Sequence, residues 1–364
     1  MVKPPLVRRE ALLDFRDIFR RENPAQVFPL SEKNLLFFGY ARAALYEGLR
    51  ILGLGEGDTV LVPEYVCNAV VAPMHCLKVN AKFYKVEKGL SPSWDGLDEM
   101  TDKSTKALLI CDYFGFPNDL VGARLFCDKH KLFLIEDNAC GFLSCDAQRP
   151  LGGAGDISIF SFRKTVPLPN GAALLVNNKA FEQKLQKPEY LRRRTNDFRF
   201  LLKILALGLE NSLFSFARPD EVEDFEANRI RDRIEEFNLS KYFVSISSLS
   251  AFLLRRFDFE GIKAQRRRMY EGWLRIFSGG CFSGARAVFP VLPDGVVPFC
   301  FPVLADDRGR FIATMFKKGI ESFPWPYLPR DSKEEYLSAR MVCLPVFPDF
   351  KLSGICKGGF IGDA

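Results

Sequence analysis

In the first half of the chain, short apolar stretches alternate with longer stretches in which apolar residues recur at helical spacing. ARAALYEGLRILGLG (41–55) has the spacing of a helix that ends on glycine, and DTVLVPEY (58–65) reads as a short buried strand. The alternation continues through TKALLICDYFG, LVGARLFCDKH, KLFLIEDNA, DISIFSF and AALLVNN. Strands separated by helices of about ten residues are typical of βαβ units. The pattern therefore predicts an α/β fold with a mostly parallel sheet and helices on both of its faces.

The second half of the chain predicts a smaller α/β domain. A long amphipathic helix is expected over 245–277, followed by a strand in VVPFCFPVLADD, a helix in RGRFIATMFKKGI and a last strand in ARMVCLPV. We expect a large domain over residues 1–240 and a small carboxyl-terminal domain over 241–364.

Composition and charge exclude several classes of function. The 51 Lys and Arg residues are interleaved with 45 Asp and Glu residues, and a net charge of +6 is too small to predict a nucleic-acid partner. Two histidines argue against a histidine-based metal site, and the ten cysteines form no C-x-x-C pair. Because the first residues have no signal-peptide core, we expect a cytoplasmic protein with reduced thiols.

The apolar run 201–209 raises the question of membrane contact. It is too short to span a bilayer and is interrupted by Lys203 and Glu210. We expect a buried core helix or a dimer interface. The alternative is a surface helix resting on a membrane with help from the basic residues 192–194.

Four features could together hold pyridoxal phosphate. IEDNAC (135–140) places Glu136 and Asp137 at the end of an apolar strand, where open α/β sheets bind ligands, although Asp is also a frequent helix cap. Ser161 and Lys164 follow the next strand, and the lysine could equally be a solvated loop charge. The predicted helix start at Ala41 offers backbone N–H groups to an anion. An acid for the pyridinium, an amine for the aldehyde, and a hydroxyl and a helix end for the phosphate are what this cofactor needs.

The chain resembles the DegT/StrS family of sugar aminotransferases, which are pyridoxal-phosphate enzymes of fold type I. The resemblance runs from about residue 37 to 176 and more loosely to about 349. It is carried by ARAALYEGLRILGLGEGDTVLVPEY, KFYKV, LLICDYFGFPNDL, LFLIEDNA, GDISIFSF and GAALLV. It implies a mostly parallel seven-stranded central sheet and a homodimer with shared active sites.

The resemblance also assigns roles to individual residues. Asp137 would pair with the pyridinium nitrogen, and Lys164 would form the Schiff base and move the proton. Ala139 would pack under the ring, and Cys140 stands where Gln or His usually touches the phenolic oxygen. The residues expected at the phosphate are Ser161, Ala41 and Arg42, the last in place of the family's Thr.

Several positions depart from the family pattern. The loop to the lysine is shorter, and an ungapped comparison would place Val166 at the lysine position. Cys67 stands where an aromatic residue usually stacks on the ring, so Tyr65 or another residue would have to serve. Asp112 replaces a common His, and Phe347 replaces another His in the LPVFPDF end.

Three further positions keep open readings. The partner-subunit asparagine has no match in register, with Asn238 nearest. RRRMY (266–270) is expected to form a solvated helix face, with a substrate anion contact as the alternative. WPYLP (325–329) is expected to pack, with lining of the active-site entrance as the alternative.

Together with these residues, the resemblance implies a cytoplasmic, homodimeric aminotransferase of sugar or polysaccharide biosynthesis. It would move an amino group from glutamate or glutamine to a keto sugar, expected to be nucleotide-linked. A dehydrating relative would carry histidine in place of the lysine, and this loop has none. A non-catalytic relative that keeps only the fold is the remaining alternative.

Overall fold

The computed structural model describes residues 15–20, 27–193, 197, 200–202, 239–326, 328–329, 332–347, 352 and 355. Asn238, Arg194 and all but the first two residues of the apolar run 201–209 lie outside the described residues.

A seven-stranded sheet forms the centre of the first half. Its strands are β1 (Leu35–Phe38), β2 (Thr59–Pro63), β3 (Asn80–Tyr84), β4 (Thr105–Cys111), β5 (Phe133–Asn138), β8 (Ile157–Phe160) and β9 (Ala172–Val176). The order across the sheet is β1-β9-β8-β5-β4-β2-β3, and β3, β2, β4, β5 and β8 run parallel to one another. β9 pairs antiparallel with β8 and β1. The predicted fold class, a mostly parallel seven-stranded sheet, is confirmed.

Helices cover both faces of this sheet. The helices of the first half are α1 (Phe15–Phe19), α2 (Ala41–Leu52), α3 (Asn68–Cys76), α4 (Leu97–Met100) and α5 (Leu120–His130). Two consecutive residues of β4 show the two faces. Leu109 belongs to the core cluster that contains residues of α2, whereas Leu108 packs with Ala123 and Cys127 of α5. Burial on both faces explains why these strands read as continuous apolar runs.

A four-stranded antiparallel sheet forms the second half. Its strands are β10 (Ala285–Ala287), β11 (Phe301–Ala305), β12 (Phe323–Pro324) and β13 (Met341–Leu344), in the order β10-β11-β13-β12. The helices that accompany it are α6 (Ser248–Leu254), α7 (Phe259–Ser278), α8 (Arg308–Lys317) and α9 (Tyr336–Arg340), and a small hairpin is formed by β6 (Cys145–Asp146) and β7 (Arg149–Pro150). The boundary at residue 240 stays a prediction.

The expectation of one long helix over 245–277 is wrong. The chain forms α6 and α7 instead, and the break lies at residues 255–258. Asp258 explains the break, because its carboxylate accepts a hydrogen bond from the Gly261 N–H at 3.0 Å and so starts a new helix. Helical periodicity alone does not register such a cap inside an apolar pattern.

The structure also describes the state of the cysteines and the length of the apolar helices. Eight described cysteines are free thiols, but Cys281 is disulfide-bonded, so the expectation of reduced thiols is wrong at this residue. Within the described ranges, no helix is long and apolar enough to cross a bilayer.

Candidate active site

A cavity of about 340 Å³ opens at the carboxyl ends of β4, β5 and β8 and faces the start of α2. This edge is where parallel sheets bind ligands, because the loops and helix starts converge there. The structure brings all seven residues predicted for the site to the wall of this one cavity: Ala41, Arg42, Asp137, Ala139, Cys140, Ser161 and Lys164.

The structure separates the two adjacent acids at the end of β5. Glu136 is fully buried, and its carboxylate accepts hydrogen bonds from the N–H groups of Gly152, Ala154 and Gly155. Asp137 is half-buried and lines the cavity, where its Oδ1 accepts from the Ala139 N–H at 3.0 Å. Because neighbouring strand residues point to opposite faces, only one of the two can serve the cavity.

The lysine lies in a single 3-10 turn, Phe162–Lys164, directly after β8. Lys164 is half-buried and lines the cavity, with its Nζ 3.4 Å from the Cys140 Sγ. Val166, the position favoured by an ungapped comparison, is fully buried in a hydrophobic cluster with Phe142 and Phe162. The shortened loop therefore still delivers an amine to the cavity, two residues before the ungapped position.

Charge and burial act against each other around this amine. Burial opposes the ammonium form of Lys164, but the neighbouring Cys140, Cys67 and Asp137 outweigh it and leave the lysine pKa raised. Burial raises the pKa of the Asp137 carboxyl, and the charge of Lys164 counters only part of that rise. The amine and the acid thus favour each other's charged forms across the cavity.

The start of α2 forms the opposite wall. No side chain caps this helix start, where the preceding residue Tyr40 is extended. The Arg42 guanidinium lies 3.8 Å above the Tyr242 ring, and both residues line the cavity at this helix start. Ser161 is 4% exposed, and its hydroxyl does not cap the turn that follows it. These groups form a donor set suited to a phosphate.

Sequence reasoning missed most of the aromatic wall. Trp325 and Tyr113 line the cavity, and the Lys164 Nζ lies 5.6 Å from the centre of the Trp325 ring. The centre of the Phe299 ring lies 5.8 Å from the same Nζ, on a residue that does not itself line the cavity. The packing role expected for WPYLP is therefore incomplete, because Trp325 is also part of the cavity wall.

Tyr65, suggested as a substitute for the missing stacking residue, does not line the cavity. It is fully buried, and its hydroxyl donates a hydrogen bond to the carbonyl of Trp325. It supports the wall from behind, while Cys67 keeps its place on the cavity surface.

The expectation of a solvated face for RRRMY is wrong at three of its five residues, because Arg266, Met269 and Tyr270 are buried. Arg266 is 2% exposed, whereas Arg268 is exposed. The alternative of a substrate anion contact finds no support at Arg266, since its side chain hydrogen-bonds four backbone carbonyls.

The residues present fit pyridoxal phosphate. An acid, an amine and a phosphate-type donor set surround one cavity, in the chain order that the sequence predicts. Among the described residues, no group of three or more His, Cys, Asp or Glu side chains is placed to hold a metal ion.

Comparison with known proteins agrees with this fit. Residues 32–201 match the DegT/DnrJ/EryC1/StrS aminotransferase family, which confirms the resemblance predicted from the sequence. The chain is 30% identical over 131 residues to dTDP-4-dehydro-2,3,6-trideoxy-D-glucose 4-aminotransferase of Saccharopolyspora spinosa, covering 36% of this chain and 34% of that protein. It is 30% identical over 138 residues to GDP-perosamine synthase of Vibrio cholerae, covering 37% and 38%. The matched region thus spans little more than a third of the length of these relatives.

The fold is shared over nearly the whole chain. Two structures of a protein from Streptococcus pneumoniae described as a sugar aminotransferase, one in the PLP form and one in the PMP form, align with this chain. Their TM-scores are 0.65 and 0.66, both at 14% identity. The PMP form covers 96% of this chain and 95% of the other. At this identity the likeness establishes the fold alone.

Proposed function

We propose that this chain is a pyridoxal-phosphate-dependent aminotransferase. It would move an amino group from an amino acid, glutamate or glutamine, to a keto sugar that carries a nucleotide. The observation that carries the proposal is that Lys164 and Asp137 line one cavity at the carboxyl edge of the parallel strands. The substrate class is supported by the names of two matched relatives, which contain a dTDP-linked and a GDP-linked sugar.

Each residue has a role in holding the cofactor. Lys164 would hold the aldehyde carbon through its Nζ, and Asp137 would keep the ring nitrogen protonated. Ser161, Arg42 and the backbone at Ala41 would hold the phosphate. When bound, pyridoxal phosphate supplies an electron sink beside the carbon that carries the amino group.

Lys164 would then transfer the proton that moves between two carbon atoms during the reaction. The Nζ of Lys164 would take a proton from one carbon and return it to another, acting as general base and then general acid. Its raised pKa favours the ammonium form before the cofactor binds, and the half-buried Asp137 beside it supports that charge. Trp325 and Tyr113 would exclude water from this side of the cavity.

Covalent trapping tests the cofactor assignment. Protein purified with pyridoxal phosphate should lose its visible absorbance on borohydride treatment, and peptide mass spectrometry should find the reduced adduct on Lys164. Lys164→Ala should remove the adduct, and Lys103→Ala, at an exposed lysine, should leave it intact. An adduct that persists in Lys164→Ala would refute the assignment, and failure of the wild-type chain to bind the cofactor at micromolar concentration would favour a non-catalytic relative.

The donor and acceptor need a separate screen. Glutamate and glutamine are offered first to convert the bound cofactor to its amine form, followed by a panel of nucleotide-linked keto sugars. A return of the original spectrum with amino-sugar formation identifies the acceptor. Loss of a nucleotide-sugar hydroxyl without amino transfer would instead indicate a dehydrating relative.

We further propose a cytoplasmic homodimer in which the two subunits share each active site. Light scattering after size exclusion gives the subunit number. A second test mixes two inactive variants. One is altered at Lys164, and the other is altered at a residue that reaches the active site of the partner subunit. The mixture would regain activity only if each active site contains residues of both subunits.

A further inference from the structure

We propose that Arg266 is a positioning residue for Lys164, acting by holding the backbone of the lysine turn against the segment that carries Phe299. The inference deepens the proposed function, since it rests on Lys164 being the cofactor-bearing residue. Arg266 lies on α7, far from the lysine in sequence, and outside the family match at 32–201.

One guanidinium joins two segments. Its NH2 group donates to the carbonyls of Lys164 and Thr165 at 3.3 and 2.7 Å. Its NH1 group donates to the carbonyls of Pro298 and Phe299 at 3.0 and 3.1 Å. Four backbone acceptors thus converge on one side chain.

This arrangement is costly to build for stability alone. Arg266 is 2% exposed, and no carboxylate among the described residues forms an ion pair with it. Burial lowers the pKa of the guanidinium to about 10, which reflects the cost of removing the charge from water. An apolar residue would fill such a site without that cost, so the specific hydrogen bonds are the property that an arginine adds.

Of the two segments held by Arg266, one carries the reactive amine and the other carries an aromatic ring close to it. The carbonyl of Lys164 is fixed at one end of the guanidinium, and the backbone of Phe299, whose ring lies 5.8 Å from Nζ, is fixed at the other. Arg266 therefore sets the distance between the amine and one of its aromatic walls. Phe347, which stands in place of a family His, lies 5.3 Å from the guanidinium and closes its remaining side without adding charge.

The same helix provides a matched control. Arg267 also donates to two carbonyls, those of Pro293 and Val296, each at 2.8 Å. It makes no hydrogen bond to the lysine turn among those of the described residues. Arg267→Met therefore removes a guanidinium, two carbonyl contacts and a 3.8 Å ion pair with Asp294 from the same helix, and none of these contacts involves Lys164.

The first measurement needs no cofactor. Reductive methylation of the full-length chain with formaldehyde and a borane, followed by peptide mass spectrometry, gives the reactivity of each lysine. We expect Arg266→Met and Arg266→Lys to change the rate at Lys164 by threefold or more. The rates at exposed lysines, and the Lys164 rate in Arg267→Met, should match those of the wild-type chain.

The second measurement uses the cofactor. At saturating pyridoxal phosphate, Arg266→Met should lower the fraction of cofactor that borohydride traps on Lys164. The kcat should fall on the order of tenfold or more, with a much smaller change in KM. The reason is that displacement of a reacting group weakens stabilisation of the transition state more than binding of the substrate. Added guanidinium chloride at millimolar concentration should restore part of the trapped fraction in Arg266→Met but not in Lys164→Ala. If Arg266→Met does not fold, Arg266→Lys, which keeps the charge and fewer contacts, carries the same comparison.

The outcomes separate the two proposals. Equal Lys164 reactivity and equal trapping in Arg266→Lys and Arg267→Met would overturn the positioning role. A wild-type chain that forms no adduct on Lys164 would refute the proposed function, and the methylation result would still decide whether Arg266 governs the amine.

Discussion

Asp112 offers a quantitative test of the electrostatics beside the cavity. This residue follows β4, is 1% exposed, and accepts a hydrogen bond from the Asn118 N–H at 3.0 Å through Oδ1. Burial raises the pKa of its carboxyl well above the ordinary value of 3.8, and the nearby carboxylate of Glu136 raises it further. In Asp112→Asn the amide keeps the shape and the Oδ1 acceptor and cannot ionise, while an NH2 group takes the place of Oδ2.

The direction of the stability change follows from the number of protons bound in the folded and unfolded states. Because the pKa is higher in the folded state, folding takes up a proton at pH values between 3.8 and the folded pKa. In that window each rise of one pH unit costs the wild-type chain up to about 1.4 kcal/mol of unfolding free energy. Asp112→Asn is free of this cost, so it should be the more stable protein at pH 7, and the difference should disappear as the pH falls below 4.

Urea unfolding followed by circular dichroism, repeated across this pH range, measures the difference. Asp95→Asn, at an exposed position, serves as the control and should show almost no difference at any pH. A gain that does not vary with pH, or a loss of stability at pH 7, would refute a raised pKa for the buried Asp112 carboxyl.

Two further predictions concern the backbone and the thiols. Gly115→Ala should lower the free energy of unfolding by about 1–3 kcal/mol in thermal or urea unfolding. The reason is that φ is +89° and the new Cβ would lie 2.6 Å from the Val297 carbonyl oxygen. Gly55→Ala, where the Cβ meets open space, should be nearly neutral. Iodoacetamide at pH 7.5 should modify the exposed Cys76 well before Cys127, whose pKa burial raises to about 12, and rapid labelling of Cys127 in peptide mass spectra would contradict its burial in the native fold.

The sequence carried enough information to predict the sheet and its ligand edge. The strands around β5 are apolar on both faces, so their alternation with helices left few other architectures. Polar residues directly after these strands have to meet at one edge, and this is why the sequence predicts that Asp137 and Lys164 line the same cavity.

What the sequence left open depended on the direction of single side chains. Glu136 and Asp137 are equally acidic and adjacent, and only the pleat of β5 decides that Glu136 faces a buried loop while Asp137 faces the cavity. Lys164 and Val166 likewise differ by two residues in a turn that has no periodicity, so periodicity could not separate them. Arg266 departs from the predicted solvated face because its partners are carbonyls contributed by distant loops, which a cluster of three arginines on a helix does not reveal.

On the proposed function, the division between matched and unmatched sequence predicts which residues choose the substrate. The family match ends at residue 201 and contains Asp137 and Lys164, the residues expected to perform the chemistry. Trp325 and Phe299, which lie against the same amine, come from the unmatched second half. Since the amine and the acid are common to any reaction of this cofactor, they cannot distinguish one keto sugar from another. We therefore expect substitutions at Trp325 to change which acceptor is used, while substitutions at Asp137 abolish the reaction with every acceptor.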